Sequence, residues 1–308
     1  MNDLIDLKKR YASGSILKAE YIKSMYSSHR RLHDYPSLMA ESNVKSIELT
    51  REGVVATLGD DEVKLFLIEG DERLAPLDAL NFGGYEQEEL SMMLKLTATA
   101  KVMLDVGANI GLYSINLSKR NAGLHIYAFE PLPRTFEYLN RNINLNGAER
   151  IKTLRMGLSE QVGEFRFYFD PELSVAASMR NVSGGDSVQE IVCPVDTIDG
   201  FVKREKLAVD FIKCDVEGAE FLVVKGAAEL LETSKPVLFL EMLRKWAAKF
   251  NYHPNDIISF LRSKGYACYA IAGAGLVAVP VVNEETVHTN YVFLHEEKHK
   301  NLVQQLVG

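Results

Sequence analysis

Cysteine is scarce: Cys193, Cys214 and Cys268 are the only three in 308 residues. An odd, widely spaced set excludes a disulfide framework and a paired-cysteine metal knuckle, and it fits a reducing, cytoplasmic setting. Long hydrophobic runs are also lacking. The longest, residues 270–282, is interrupted by Gly273, Gly275 and Pro280. It is too short to span a bilayer and reads as buried strands with a turn. The first residues, MNDLIDLKKR, lack the apolar stretch of a signal peptide. The net charge is −7 and no block of like charge occurs. Both features speak against nucleic acid as the main partner, because that affinity rests on neutralised phosphates. The best local basic face, Arg30 and Arg31 beside His29 and His33, reads as solvated helix surface.

What is present is an ordinary globular composition, 47% hydrophobic and 25% charged, in a chain long enough for a sizeable core. Leu17, Tyr21, Ile22 and Met25 recur at helical spacing, so residues 1–43 are expected to be helical, with Pro36 ending or interrupting the stretch. Residues 44–68 change to short strands with turns at Glu52-Gly53 and Gly59-Asp60-Asp61. Residues 1–80 are therefore read as an accessory region of helices and a β-meander, and residues 81–308 as the main domain. From residue 86 apolar strands alternate with amphipathic helices, the pattern of an α/β doubly wound sheet covered on both faces. Strands are predicted at Val102–Val106, Leu124–Phe129, Ile151–Met156, Val209–Cys214 and Pro236–Leu240, and an unbroken helix over 219–231. A hairpin is predicted from 163–169 and 190–195, with Ser174–Asp186 as a loop over the site.

In such sheets ligands bind beyond the carboxyl ends of the strands, where strand order reverses. The segment Asp105-Val-Gly107-Ala-Asn109-Ile-Gly111 runs from strand to helix there. Gly107 permits a tight turn and Gly111 a close helix start. Glu130, at the end of the next strand, can accept hydrogen bonds from ribose hydroxyls. A nicotinamide dinucleotide calls for G-x-G-x-x-G around its pyrophosphate, whereas here Asn109 replaces the second glycine. S-adenosylmethionine has no phosphate. It needs partners for an ammonium and a carboxylate, and Asp105 and nearby backbone groups are candidates.

These residues carry a family resemblance. DVGANIG at 105–111, FEP at 129–131, the asparagine run from Asn140 to Asn146 and KCDVEGAE at 213–220 together resemble the FkbM methyltransferases. So do Tyr85-Glu86 and Lys235-Pro236 before the strand ending in Glu241. The resemblance covers residues 83–272. It implies a class I methyltransferase (Rossmann-like) sheet, mostly parallel with an antiparallel late strand. It also implies methyl transfer from S-adenosylmethionine to an oxygen, typically a hydroxyl of a sugar, polyketide or related metabolite, leaving S-adenosylhomocysteine.

The cofactor site is expected to comprise Tyr85, Glu86, Asp105, Gly107, Ala108, Asn109, Gly111, Glu130, Pro131, Leu158, Ser159 and Asp215. A protonated alcohol is a poor nucleophile, so a base in reach is expected. Asp215 and Glu217, where a strand meets a helix, are candidates, with Glu241 a third; Asp215 is also a candidate partner of the methionine ammonium. Lys213 either neutralises these acids or is solvated, and Glu220 favours the helix dipole. Ser174, Ser178 and His253 are candidates at the acceptor. Asp215, Glu217 and Glu241 could jointly hold a divalent cation, but oxygen methylation does not require one and no metal is expected. The literal H-E-x-x-H of His295–His299 follows an apolar strand directly, so the single long helix of a zinc site is not expected. The acceptor is expected to be a small molecule or glycan hydroxyl, with a peptide hydroxyl or a nitrogen left open, and the accessory region is expected at the acceptor pocket or a homodimer contact. Two rival readings are a non-catalytic cofactor-binding or scaffold protein on the same fold, and a nicotinamide-dependent oxidoreductase.

Overall fold

The computed structural model of the protein describes residues 3–169, 178–180 and 188–307. Helices α1 (Asp3–Ala12) and α2 (Lys18–His29) form a hairpin that buries none of its helical residues, joined by the stacked rings of Tyr11 and Tyr21. Pro36 does not end this stretch. It lies in the first turn of α3 (Tyr35–Ala40), where a missing N–H costs nothing. Strands β1 (Val44–Leu49), β2 (Val54–Leu58) and β3 (Val63–Phe66) form the antiparallel meander. Helix α4 (Ala75–Phe82) then stops at Gly83, whose φ of 87° suits glycine.

The main sheet follows after α5 (Gln87–Leu96). Its first half is β4 (Val102–Val106), α6 (Leu112–Arg120), β5 (His125–Phe129), α7 (Pro133–Leu145) and β6 (Ile151–Leu154). A small sheet of β7 (Gly157–Leu158), β8 (Gly163–Phe169) and β9 (Gln189–Asp196) intervenes, with β8 and β9 as the expected hairpin. The second half is α8 (Ile198–Glu205), β10 (Phe211–Cys214), α9 (Glu220–Lys225), α10 (Ala228–Thr233), β11 (Val237–Glu241), α11 (Arg244–Ala247), α12 (Pro254–Ser263), β12 (Tyr266–Ala272), β13 (Gly275–Ala278), β14 (Asn290–His295) and α13 (Lys300–Leu306). The spatial order is β13-β12-β14-β11-β10-β4-β5-β6. β4, β5, β6, β10 and β11 are parallel, and β14 runs antiparallel between β11 and β12. Strand order reverses between β4 and β10, so the ligand crevice belongs at their carboxyl ends.

Alternate strand residues feed the two faces. Met103 joins one core with Ile115, Ile126, Leu139 and Phe239, while Leu104 joins the other with Ile212, Leu238 and Ile257. The first core also contains Val44, Ala56, Val63 and Leu65, so it runs across the boundary at residue 80. Two asparagines of α7 stitch this seam. Asn142 Oδ1 accepts from the Phe66 N–H at 2.9 Å. Asn146 accepts from the Lys64 N–H at 3.0 Å and donates to the Lys64 carbonyl at 2.6 Å, like one more rung of β-sheet.

The helix expected over 219–231 is instead two, broken at Gly226-Ala227. A Cβ on Gly226 would lie 2.1 Å from the Ser159 carbonyl, so the backbones meet there. Asp199 then accepts from the N–H groups of Glu229 and Leu230, at 2.9 Å each, and restarts the helix as α10.

Candidate active site

The turn leaving β4 forms half of the site. The N–H groups of Gly107 and Ala108 both donate to the Phe129 carbonyl, at 3.0 and 2.9 Å, locking the turn to the end of β5. Gly107 has φ 78°, and a Cβ there would lie 1.8 Å from the Asp215 carbonyl. Only glycine permits that contact. Asn109 also adopts a positive φ, 48°, which asparagine tolerates better than most residues. Its N–H donates to Glu130 Oε2 at 3.1 Å, while Glu130 Oε1 accepts from the Leu132 N–H at 2.9 Å. Burial pushes the Glu130 carboxyl up to about 7, against the pull of these two N–H groups. Each oxygen keeps further acceptor capacity for a hydroxyl.

Asp105 lies beneath the turn rather than in the cavity wall. It is fully buried, accepts from Ser114 Oγ at 2.6 Å, and faces Lys213 Nζ across 3.7 Å. Lys213 is not solvated. Its ammonium donates to the Gly107 carbonyl at 2.8 Å and pairs with Asp215 at 3.3 Å. Burial works against that charge, but Asp215 and Asp105 outweigh it and hold the pKa above the usual lysine value. Asp105, expected at the cofactor's ammonium, does not itself line the cavity. Glu86 and Asp215 face the cavity in its place. Glu86 accepts a short hydrogen bond from the Tyr113 hydroxyl, and burial pushes its carboxyl up to about 7.

The turn leaving β10 forms the other half. Asp215, Glu217 and Glu241 each bring a carboxylate oxygen within 4.8 Å of the other two. Burial first, then repulsion from Asp215 and Glu217, raises Glu241 well above the carboxylate range and favours its protonated form, with a side-chain hydrogen bond to Asp215. Glu217 has φ 53° and Gly218 φ 100°, a tight left-handed pair. Glu220 supports it: its Oε1 accepts from the Val216 and Gly218 N–H groups, both at 3.0 Å, with the Tyr252 hydroxyl 3.1 Å from Oε2. The role of Glu220 therefore exceeds a helix-dipole contact. Ser178 Oγ donates to the Glu217 carbonyl at 2.8 Å, bracing the same turn from the β8 side.

These two turns enclose a cavity of about 430 Å³. Tyr85, Glu86, Gly107, Asn109, Glu130, Pro131, Leu158, Asp215, Glu217 and Glu241 line it. Ala108, Gly111 and Ser159 are not among the lining residues: Ala108 donates its N–H to the Phe129 carbonyl, Gly111 starts α6, and the Ser159 carbonyl packs on Gly226. Ser174 lies outside the described residues. His253 stands apart, exposed, with its ring accepting from the Asn255 N–H as the cap of α12. That cap uses its Nδ1.

Comparison with known proteins places this geometry. The methyltransferase FkbM domain matches residues 105–268, from Asp105 at the end of β4 into β12. The chain belongs to the FkbM methyltransferase family. Methyltransferase sdnD of Sordaria araneosa is 30% identical over 156 residues, 41% of this chain and 60% of the relative. Hexuronic acid methyltransferase AglP of Haloferax volcanii is 28% identical over 148 residues, 48% of this chain and 59% of the relative. The chain thus spans about 60% of the length of these curated relatives. The crystal structure of methyltransferase FkbM from Methylobacillus flagellatus aligns with a TM-score of 0.41 at 19% identity, covering 63% of this chain and 43% of that one.

The FkbM domain match leaves out Tyr85 and Glu86, which reach the cavity from the segment before α5. It also leaves out Arg73, from the link between β3 and α4, which lines the same cavity and went unnoticed in the sequence. Trp246, Lys245, Met156 and Phe167 complete the wall without a prior signal. Tyr113 and Ser114 were equally silent, since nothing in a helical i, i+1 pair announces partners on other elements. The H-E-x-x-H residues form a turn cap. His299 Nδ1 accepts from the His295 N–H at 2.9 Å, and His295 Nδ1 lies 3.3 Å from the N–H groups of Glu297 and Lys298. Burial lowers both imidazoles, His299 to about 4. No helix among the described residues is long and apolar enough to cross a membrane.

Proposed function

We propose that the protein transfers a methyl group from S-adenosylmethionine to a hydroxyl oxygen of a small molecule or glycan, of the sugar or polyketide kind. The observation that carries this reading is the pairing of acids at two ends of one cavity. Glu130, after the end of β5, could accept from ribose hydroxyls, and Glu86 and Asp215 on the same cavity could receive an ammonium, which supports the reading. Relatives named as methyltransferases, one of them for hexuronic acid, support the same reading.

S-adenosylmethionine supplies an electrophilic methyl on a sulfonium, whose leaving group is a neutral thioether. The protein has to hold the acceptor oxygen about 3–3.5 Å behind that carbon, exclude water and remove one proton. Transfer of that methyl to a hydroxyl would release one proton, which a carboxylate of the cavity would take. Glu217 is the group we assign to that step. Glu241 favours its protonated form, and Asp215 is committed to Lys213 and Glu241. The turn that presents Glu217 is braced by Glu220 and Ser178, so the base is preorganised.

Calorimetric titration with S-adenosylhomocysteine, with NAD in parallel, tests the reading. Micromolar binding of the thioether, lost in Glu130→Ala and absent for NAD, is expected. Failure of the folded protein to bind the thioether overturns it.

A further inference from the structure

We infer that Arg73, contributed by the accessory region, binds the α-carboxylate of the cofactor's amino-acid end. This rests on the S-adenosylmethionine reading above and extends it to a residue outside the matched domain.

The argument begins with charge. The cavity wall is acidic, with Glu86, Glu130, Asp215, Glu217 and Glu241 on it. The amino-acid end of the cofactor is a zwitterion. Acids suit its ammonium, but its carboxylate sits one carbon away and needs a cation in the same acidic surroundings. Lys213 is spent beneath the floor on the Gly107 carbonyl, Asp215 and Asp105. Among the described residues, the cations on the wall are Arg73 and Lys245.

Position separates these two. Lys245 lies on α11, past Glu241, with its ammonium over the Trp246 ring at 4.5 Å. The indole thus already engages that ammonium. Arg73 enters from the link between β3 and α4, and its Nε lies 3.6 Å from Oδ2 of Asp78. Asp78 lies in α4, whose end at Gly83 leads directly into Tyr85 and Glu86, so the helix that pairs with Arg73 also delivers those two residues to the same cavity. Asp78 is 9% exposed and fixed in α4, whereas the Arg73 side chain is 66% exposed at the cavity mouth. The link itself is set by Asp71, which accepts from the Arg73 N–H at 3.1 Å. Asp78 thus pairs with the guanidinium at a distance longer than a hydrogen bond, leaving the N–H donors of its planar fork to match a carboxylate.

The test uses two ligands differing only in that carboxylate, S-adenosylhomocysteine and its decarboxylated analogue, titrated into the full chain and its Arg73→Ala and Arg73→Gln variants. A charge-assisted pair of this kind predicts a loss of about tenfold to a hundredfold for S-adenosylhomocysteine. Affinity for the decarboxylated analogue stays unchanged, which also reports an intact pocket. Equal losses for both ligands, or no loss for either, overturn the assignment. Failure of the unaltered protein to bind either ligand instead overturns the cofactor reading on which it rests.

Discussion

Asn142 donates from Nδ2 to the Ile110 carbonyl at 2.9 Å, inside the glycine turn that faces the cavity. Its Oδ1 meanwhile holds the Phe66 N–H at the end of the meander. One fully buried amide thus ties the accessory region to the cofactor turn. Asn142→Ala leaves both backbone groups unsatisfied, and a loss on the order of 2 kcal/mol or more is expected in urea unfolding. Affinity for S-adenosylhomocysteine should fall with it. Asn146→Ala cuts the same seam at Lys64 but does not reach Ile110, so it should lower stability and spare affinity. Equal affinity losses in the two variants would show that the amide has no special hold on the turn.

Lys213→Met removes the cation between Asp105 and Asp215. Two acids would then face each other across a buried gap with no counter-charge, and a cost of about 3–5 kcal/mol is expected. Adding Asp105→Asn should recover much of it. The double-variant cycle in denaturant measures the coupling.

Stability should depend on pH through the buried acids. Glu86, Glu130 and Glu220 titrate in the fold at about 7, and their ordinary value is 4.5. The folded state therefore holds more protons than the unfolded chain between those limits, and stability falls as pH rises from about 4.5 to 7. Each group contributes at most about 1.4 kcal/mol per pH unit. Glu220→Gln keeps an acceptor for the Val216 and Gly218 N–H groups and removes the titration. Its melting temperature should vary less with pH than that of the unaltered protein, and an identical slope counts against Glu220 as a contributor.

Glu217→Gln should bind S-adenosylhomocysteine normally and slow transfer by about 10²–10⁴-fold. Turnover at the original rate would remove Glu217 as the base. Dialysis against a chelator should leave the rate unchanged, because the protonated form favoured at Glu241 relieves the crowding of the three acids. A rate that collapses and returns with magnesium would assign Asp215, Glu217 and Glu241 to a cation instead.

Much of the site was legible because its demands fall on backbone. Gly107 and Gly111 announce a turn that only glycine completes, and Glu130 and Glu217 lie at strand ends whose direction the hydrophobic pattern sets. The sheet was readable from its apolar runs, such as residues 237–240, which are apolar and buried throughout. What stayed hidden depends on contacts between distant segments. Arg73 sits among surface-like residues, and only the docking of the meander brings it to the cavity. The sequence shows the acid at Asp105 but not the burial of its carboxylate against Ser114 and Lys213. The break at Gly226 follows from the approach of Ser159, 67 positions earlier in the chain.

The contact between Gly107 and the Asp215 carbonyl has a consequence for engineering. The turn at Gly107 and the turn at Asp215 touch without a side chain between them, so neither can be redesigned alone. A library that varies residues 107–109 also displaces Asp215 and its neighbours, and altered acceptor preference in such variants need not signal a new acceptor contact. Retargeting the enzyme is better begun at Trp246 and Lys245, which border the cavity away from that junction.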